Sequence, residues 1–354
     1  MEGLHRYRFA LAWLLPLAVG WAASAAFWLA WAAMLAMQMG LALAERVPAW
    51  RHSPPATPQT PWHRGCLRMH VPLQAGLMAW ALWLISTQAA SPGAVVLLGL
   101  AVGGISGSQG ITFAHELGHS RSRFDRALAW GLMTSVNYAH FMVEHFRGHH
   151  PRAATFADPA SARRGETLWA FLPRTLAGSL RSAWALEAAQ LRQLKRGWHR
   201  SPLLWATAAQ VAWALLLLAW LGPLALLFWA VQSAYAVFLL EAINYIEHYG
   251  LQRRSVNGRV EAFGVMHAWN ADHWLTNSVI ANLQRHSDHH MHAWKPYAEL
   301  QALPGPQLPT GYAGCLFLAT VPPLWFAALH PRIDVLLQNG GNAPADRPGL
   351  RHPV

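Results

Sequence analysis

Residues 9–44 contain no charged side chain, and this feature restricts the possible folds more than any other. A single helix of that length would be about 54 Å long, whereas the hydrocarbon core of a bilayer is about 30 Å thick. We therefore expect two short membrane-crossing helices that are joined near residues 20–24. A chain with such a segment is predicted to be embedded in lipid.

Four further apolar runs follow, and breaks such as Pro92-Gly93 and Gly222-Pro223 between them favour tight turns. Together the six runs predict an all-α integral membrane protein with six transmembrane helices. The predicted spans are residues 9–24, 26–44, 73–90, 94–114, 203–221 and 224–246.

The remaining segments are assigned around these spans. We expect residues 1–332 to form a single membrane-embedded domain and residues 333–354 to form a loose C-terminal tail. The proline-interrupted stretch 315–329 is expected to lie at the interface or to pack on the bundle. The N-terminus resembles a signal peptide, but its apolar run continues far beyond the candidate cleavage site, so we expect it to be retained.

The distribution of cationic residues predicts the orientation. The 27 Lys and Arg residues fall before the first span, between spans two and three, between four and five, and after six. All of them therefore lie on one side, which the positive-inside rule assigns to the cytoplasm. The net charge of +11 is attributed to contact with anionic lipid rather than with nucleic acid. A multi-pass protein of a bacterial inner membrane, with both termini cytoplasmic, is predicted.

Histidines are concentrated where the predicted helices leave the membrane. Of 20 histidines, 13 lie in residues 115–150 and 248–292. A lone buried histidine is usually a core residue, but clusters on several helices at one depth indicate metal binding. One tetrahedral zinc uses three or four ligands, so nine rings favour two metal ions. The nine candidates are His115, His119, His145, His149, His150, His248, His286, His289 and His290.

Four carboxylates accompany these histidines. Glu116, Glu144 and Glu247 each adjoin a candidate ligand, and Asp288 lies within the last cluster. Such groups can orient an imidazole through its second ring nitrogen. The competing interpretation is that they are solvated charges at helix ends.

Four motifs carry a resemblance to a known family. They are "HELGHSRSRFDR", "EHFRGHHPRAATFADPASAR", "NYIEHYGLQRR" and "LQRHSDHH". Over most of residues 94–332 the sequence resembles the integral-membrane alkane hydroxylases, within the wider membrane desaturase and hydroxylase superfamily. Two departures are Ser120, where lysine is expected, and a second span without the expected aspartate near its cytoplasmic end.

The resemblance implies a specific chemistry. It implies that the nine histidines hold two iron ions and that O2 is the co-substrate. It also implies that one oxygen atom enters the terminal C–H bond of an alkane to give a primary alcohol. The implied electron source is rubredoxin, which is reduced by an NAD(P)H-dependent reductase.

An n-alkane has no polar group, so an apolar cavity within the bundle must bind it. The second span is expected to line part of that cavity. Small side chains there would leave room for the substrate, although they also permit close helix packing. The candidate pocket residues are Trp28, Trp31, Ala33, Met34 and Ala36.

The electrons are expected to come from a separate protein. Cys66 and Cys315 are the only cysteines, too few for a rubredoxin-type iron centre, and the sequence has no Gly-x-Gly-x-x-Gly nucleotide fingerprint. Small electron carriers that are acidic would be attracted to the basic cytoplasmic face. Arg121, Arg123, Arg163 and Arg164 are the predicted contacts.

Three other functions remain open from the residues alone. A fatty-acyl desaturase or a hydroxylase of aromatic methyl groups would share the metal site. An intramembrane zinc protease would use "HELGH", but it leaves seven of the nine histidines without a role. A metal transporter would need ionisable residues at mid-bilayer depth, where the predicted spans are nearly free of charge.

Overall fold

A computed structural model describes residues 2–256 and 259–338, and most of this part of the chain is helical. Its α-helices are α1 (Leu11–Ala25), α2 (Phe27–Ala44), α3 (Pro61–Thr87), α4 (Pro92–Ile105), α5 (Thr112–His119), α6 (Arg123–Ser135), α7 (Phe141–Glu144), α8 (His150–Arg152), α9 (Leu168–Gln193), α10 (Pro202–Leu221), α11 (Pro223–His248), α12 (Trp274–Val279), α13 (His286–Met291), α14 (Tyr312–Thr320) and α15 (Pro322–Gln338).

Shorter elements connect these helices. Two π-helical segments, Ser106–Ile111 and His145–His149, join α4 to α5 and α7 to α8. The two-residue strands β1 (Ser255–Val256) and β2 (Arg259–Val260) pair as an antiparallel hairpin. The 3₁₀ turns are Glu2–Ala10, Pro48–Trp50, Trp198–Arg200, Val265–His267 and Tyr297–Glu299.

Six helical segments of the described chain are long and apolar enough to cross a membrane, which confirms the predicted all-helical architecture with six candidate spans. They are His5–Ala25, Phe27–Ala44, Pro61–Thr87, Pro92–His119, Pro202–Leu221 and Pro223–His248. Two helices extend beyond the predicted spans. The third helix begins at Pro61 rather than at residue 73, because Thr60 and His63 form a capping box that starts it earlier. The fourth continues through the π segment to His119.

The fourth and sixth spans pack against each other without intervening side chains. A Cβ atom at Gly103 would lie 2.7 Å from the carbonyl oxygen of Gln232 on α11. A Cβ atom at Gly107 would lie 2.8 Å from the Cα atom of Ala236. Glycine is therefore required where these two backbones meet. This packing brings the end of α5 and the end of α11, with their histidines, to the same end of the bundle.

Helix α13 is held at that end by a buried arginine. Arg285, which precedes α13, pairs with Asp272 at 2.8 Å and donates to the carbonyl oxygens of Leu300 and Pro54 at 2.6 and 2.8 Å. Its guanidinium thereby ties three loops together. A buried cation with this many partners fixes the position of the short helix that carries His286, His289 and His290.

The C-terminal helices agree with one expectation from the sequence and differ from another. The stretch 315–329 lies in α14 and α15 and packs on the bundle, with Cys315 and Leu329 fully buried. Helix α15 continues through Pro331 to Gln338, so the predicted start of a loose tail at residue 333 was wrong. Ile333 is buried in the same apolar cluster, and this packing maintains the helix beyond the proline. Residues 339–354 lie outside the described part of the chain.

Helix α14 is attached to α2 through Glu45, which directly follows α2. The buried Glu45 carboxylate accepts hydrogen bonds from the backbone N–H groups of Ala313 (3.1 Å) and Gly314 (2.8 Å) and from the Thr276 hydroxyl (2.8 Å). A carboxylate at the start of a helix is favoured by the helix dipole. Although the expected aspartate is missing from the second span, Glu45 supplies a carboxylate immediately after it.

Candidate metal centre

The structure brings all nine predicted histidines together at one end of the bundle, in two groups. Within each group, one ring nitrogen from every member lies within 4.8 Å of the corresponding nitrogens of the others, so each group could hold a metal ion. The five-histidine group consists of His115, His119, His145, His150 and His289. The four-histidine group consists of His149, His248, His286 and His290.

In the five-histidine group, rings from α5, α8, α13 and the second π segment converge. The Nε2 atom of His150 lies 3.2 Å from Nε2 of His119 and 3.0 Å from Nε2 of His145. In a neutral ring, Nε2 of His150 carries either one proton or one lone pair. It can therefore form a good hydrogen bond with only one of the two nitrogens that it faces. Convergent nitrogens of this kind suit a metal ion.

The four-histidine group is fully buried and adjoins the first. Its Nε2 atoms of His248 and His286 are 3.3 Å apart. Nε2 of His149 and both ring nitrogens of His290 are buried without a hydrogen-bond partner. Buried polar atoms are rarely left unpaired, so these nitrogens fit a role as metal ligands. The rings of His150 and His290 are 4.5 Å apart, which places the two groups side by side.

The second π segment determines how three of these histidines are divided. Residues i and i+4 of a regular α-helix share a face. Here His145 and His149 belong to different groups, whereas His145 and His150, five residues apart, belong to the same one. The wider π turn therefore distributes one sequence motif over both groups, and π-helical turns are frequent at functional sites.

Burial favours the neutral form of the rings outside the membrane spans. It lowers the pKa of His145, His150, His286, His289 and His290 well below the ordinary value. Neutral imidazole is the form that binds metals.

His149 is different because it faces a buried carboxylate. Its Nδ1 atom lies 2.8 Å from Oδ2 of Asp158. Burial lowers the pKa of His149, but nearby carboxylates, with Asp158 the strongest of them, together raise that pKa above the ordinary value. Asp158 was not among the predicted site residues, although it lies within the motif "EHFRGHHPRAATFADPASAR". Asp158 lies eight residues after His150 in the sequence, and its spacing alone does not indicate a contact with His149.

Of the four predicted carboxylates, one contacts the histidine groups. Oε1 of Glu247 lies 3.2 Å from Nδ1 of His286 and accepts a hydrogen bond from the Tyr312 hydroxyl at 2.9 Å. The Glu247–His286 contact is short, but the two atoms are not aligned as a hydrogen bond.

The other three carboxylates have different partners. Glu116 accepts the backbone N–H of Tyr297 at 2.9 Å, and Glu144 pairs with Arg152 at 2.7 Å. Asp288 pairs with His292 and with Lys295. Their predicted role in orienting the grouped histidines was therefore wrong, because adjacency in sequence did not place these carboxylates beside a ring nitrogen.

An apolar cavity extends from partly exposed side chains of the bundle to the histidines. Its inner end is formed by His115, His145 and His286, together with Glu247. Its outer end is formed by side chains such as Phe317, which is 46% exposed. The walls between them are largely apolar and include Leu15, Met34, Met37, Leu41, Ile111, Phe141, Phe238, Leu239, Ile243, Val279, Ile280, Leu283 and Leu316.

The cavity uses a different face of α2 from the predicted one. Of the five predicted pocket residues, Met34 alone is among the described lining residues. Met37, Gln38 and Leu41 follow Met34 at the spacing of one helical face and line the cavity with it. Trp28 is 60% exposed and Ala36 is also exposed, so they face outward, and Ala33 is not part of the lining. Trp31 packs edge-on against Tyr235, a lining residue, at 5.8 Å.

The four predicted docking arginines are all exposed, but they differ in whether a neighbouring acidic group offsets their charge. Arg164 forms an ion pair with Asp334 at 2.7 Å, which partly neutralises it. Arg163 lies over the ring of Phe156. Arg121 and Arg123 are exposed between α5 and the first turn of α6, close in sequence to His119.

Comparison with known proteins identifies the family. The sequence pattern of the family described as fatty acid desaturase matches residues 90–330. An alkane 1-monooxygenase of Pseudomonas putida is 37% identical over 276 residues, which cover 77% of this chain and 68% of the relative. Alkane 1-monooxygenase 2 of Pseudomonas aeruginosa is 40% identical over 272 residues, 74% of this chain and 71% of the relative. Alkane 1-monooxygenase 1 of Alcanivorax borkumensis is 35% identical over 301 residues, 84% and 74% respectively.

Proposed function

This chain belongs to the fatty acid desaturase family and, within it, to the alkane 1-monooxygenases, and from that membership we propose that it hydroxylates alkanes. One oxygen atom of O2 enters the terminal C–H bond, and the product is a primary alcohol. The observation that carries the proposal is the apolar cavity, because its inner end is formed by histidines of both groups.

The nine histidines are the proposed ligands of two iron ions, one in each group. The converging, unpaired ring nitrogens support this assignment. Iron bound by histidine supplies, together with O2, the oxidising power that breaks an aliphatic C–H bond and that side chains lack. The protein holds the imidazoles neutral and in place, and excludes water from the site.

The shape and apolar character of the cavity walls support oxidation at the end of the alkane chain. An alkane offers no group for hydrogen bonding, so apolar contacts along the cavity must bind and orient it. A substrate that enters from the side of Phe317 meets His115, His145 and His286 with its leading end. Positioning of this kind favours oxidation at the terminal carbon.

The alternatives differ in how well the contacts support them. In a zinc protease, the glutamate of "HELGH" would act as general base, but Glu116 accepts the backbone N–H of Tyr297. His115 and His119 also lie in a group with three further histidines. A fatty-acyl desaturase or an aromatic-methyl hydroxylase would use the same histidines, and product analysis separates these activities from alkane hydroxylation.

The electron donor is proposed to be rubredoxin with its NAD(P)H-dependent reductase. Each oxygen insertion consumes two electrons, and the two buried cysteines of this chain cannot form an iron centre of the rubredoxin type. Arg121 and Arg123 are proposed to attract the acidic carrier. The positive-inside rule supports the proposal that these residues and the histidines lie on the cytoplasmic side of a bacterial inner membrane.

Purified, iron-loaded protein in lipid nanodiscs should be supplied with rubredoxin, its reductase, NADH and a series of n-alkanes. Gas chromatography of the products tests the proposal. We expect 1-alkanols, formed only when all three electron-transfer components are present. Turnover with NADH alone would refute the external donor. Alkenes from acyl substrates without any alkanol would instead favour the desaturase.

A further inference from the structure

The two histidine groups differ in what supports them from outside. In the four-histidine group, His149 is paired with Asp158, His286 lies beside Glu247, and Nδ1 of His248 lies 3.2 Å from the carbonyl oxygen of His267. In the part of the chain that the structure describes, no carboxylate pairs with a ring nitrogen of the five-histidine group. Negative charge therefore adjoins one group and not the other.

Asp158 is held rigidly for its contact with His149. Its side chain is fully buried, and its Oδ2 atom also accepts a hydrogen bond from the Ser161 hydroxyl at 2.6 Å. Its Oδ1 atom accepts the backbone N–H of Ala160 at 3.1 Å. The Ser161 hydroxyl in turn accepts the backbone N–H of Ala154 at 2.8 Å. The carboxylate is thus fixed on both oxygens, and burying a charge is costly unless it is paired in this way.

The pairing determines which nitrogen of His149 faces the group. Because an ionised carboxylate only accepts hydrogen bonds, Nδ1 of His149 carries the proton and donates to Asp158. The Nε2 atom is then left with its lone pair, and it is buried without a partner. A carboxylate in this position also makes the imidazole more basic, and its loss typically reduces metal affinity about 10–100-fold.

We propose that Asp158 is a positioning residue for the four-histidine group alone. The two metal ions are then bound with different affinity, and the group beside the Asp158 carboxylate favours the ion of higher positive charge. The inference rests on the proposed function in one respect, namely that each group holds a metal ion. Glu247 contributes less, because its contact with His286 is not aligned and it also binds Tyr312.

Asp158→Asn tests this, with Asp288→Asn as the matched control. Both aspartates are 1% exposed and lie near candidate ligands in sequence, but Asp288 pairs with His292 and Lys295 instead. Each variant of the full-length protein should be loaded with ⁵⁷Fe and titrated with a chelator. Iron per chain and the Mössbauer spectrum are then measured.

At a chelator concentration that leaves wild-type protein with both ions, we expect Asp158→Asn to retain about one. Its affinity at one site should fall about 10–100-fold, and one of two Mössbauer components should be lost while the other is unchanged. Asp288→Asn should retain both ions and both Mössbauer components. Ser161→Ala, which keeps the carboxylate but removes one of its anchors, should shift the same component by less.

Parallel loss of both ions in Asp158→Asn, or equal loss in Asp158→Asn and Asp288→Asn, would overturn the inference. So would a wild-type protein that binds fewer than two ions. If Asp158→Asn loses one ion selectively but the wild-type protein forms no alcohol, the inference is supported and the proposed function is refuted. The two failures are therefore distinguishable.

Discussion

The inner and outer ends of the cavity differ in the kind of contact that forms them. At the inner end and in the histidine groups behind it, rings are held by buried contacts such as His149–Asp158 and by the short helix α13, which Arg285 anchors. At the outer end, side chains such as Phe317 and Leu316 are apolar and partly exposed. The inner end is therefore specified by directional contacts, and the outer end by shape alone. Changes at the two ends should have separable effects on chemistry and on substrate choice.

The largest effect is expected at the inner end. His149→Ala, His248→Ala and His289→Ala should each reduce hydroxylation by at least about 100-fold and lower the iron content, since loss of even an outer contact typically costs about 10–100-fold in metal affinity. His199, outside both groups, serves as the control, and His199→Ala should retain both iron and activity. Elemental analysis and product formation are the measurements. Full activity of His248→Ala would remove that residue from the proposed site.

A smaller effect is expected along the walls. Met37→Trp should narrow the cavity and disfavour long alkanes, because Met37 lines it. A change of one methylene in an apolar pocket is typically worth about 10–200-fold in specificity, so a shift of about 10-fold in the preferred length is expected. Ala36→Trp is the matched control, since Ala36 is exposed and faces away. Equal chain-length profiles for the two variants, at full iron content, would contradict the placement of the substrate.

The smallest effect is expected at Arg121 and Arg123, the proposed contacts of the electron carrier. Arg121→Glu and Arg123→Glu should lower turnover a few-fold under limiting rubredoxin at low salt, because steering by exposed charges depends on ionic strength. The difference from wild type should disappear as salt is raised, and the Michaelis constant for the alkane should not change. A turnover rate that does not depend on salt, in wild type and in the variants, would contradict electrostatic docking. It would not contradict the proposal of an external electron donor.

The same contrast explains what could be predicted from the sequence. The histidine end was predictable because metal binding demands particular residue types, and all nine candidates converge in the two groups. Their division between the groups was not, because it depends on the π turn at residues 145–149. Asp158 was missed because a loop brings it back to His149, and local sequence does not encode that return.

The lipid-facing region shows the limits of hydropathy. Apolar runs identified six spans, but the polar first turns of α3, with Arg64 and Arg68, fell outside the predicted third span. Of the predicted α2 residues, Met34 alone is among the described lining residues, because the rotation of α2 follows from long-range contacts such as Glu45 with α14. Apolar side chains fit either face of such a helix, so composition could not distinguish them.

The central claim is that each histidine group holds one iron ion at the inner end of the cavity. Anomalous X-ray scattering at the iron absorption edge, from crystals of the iron-loaded protein, tests it most directly. The account predicts two peaks, one among His115, His119, His145, His150 and His289 and one among His149, His248, His286 and His290. A single peak, or peaks away from either group, would contradict it.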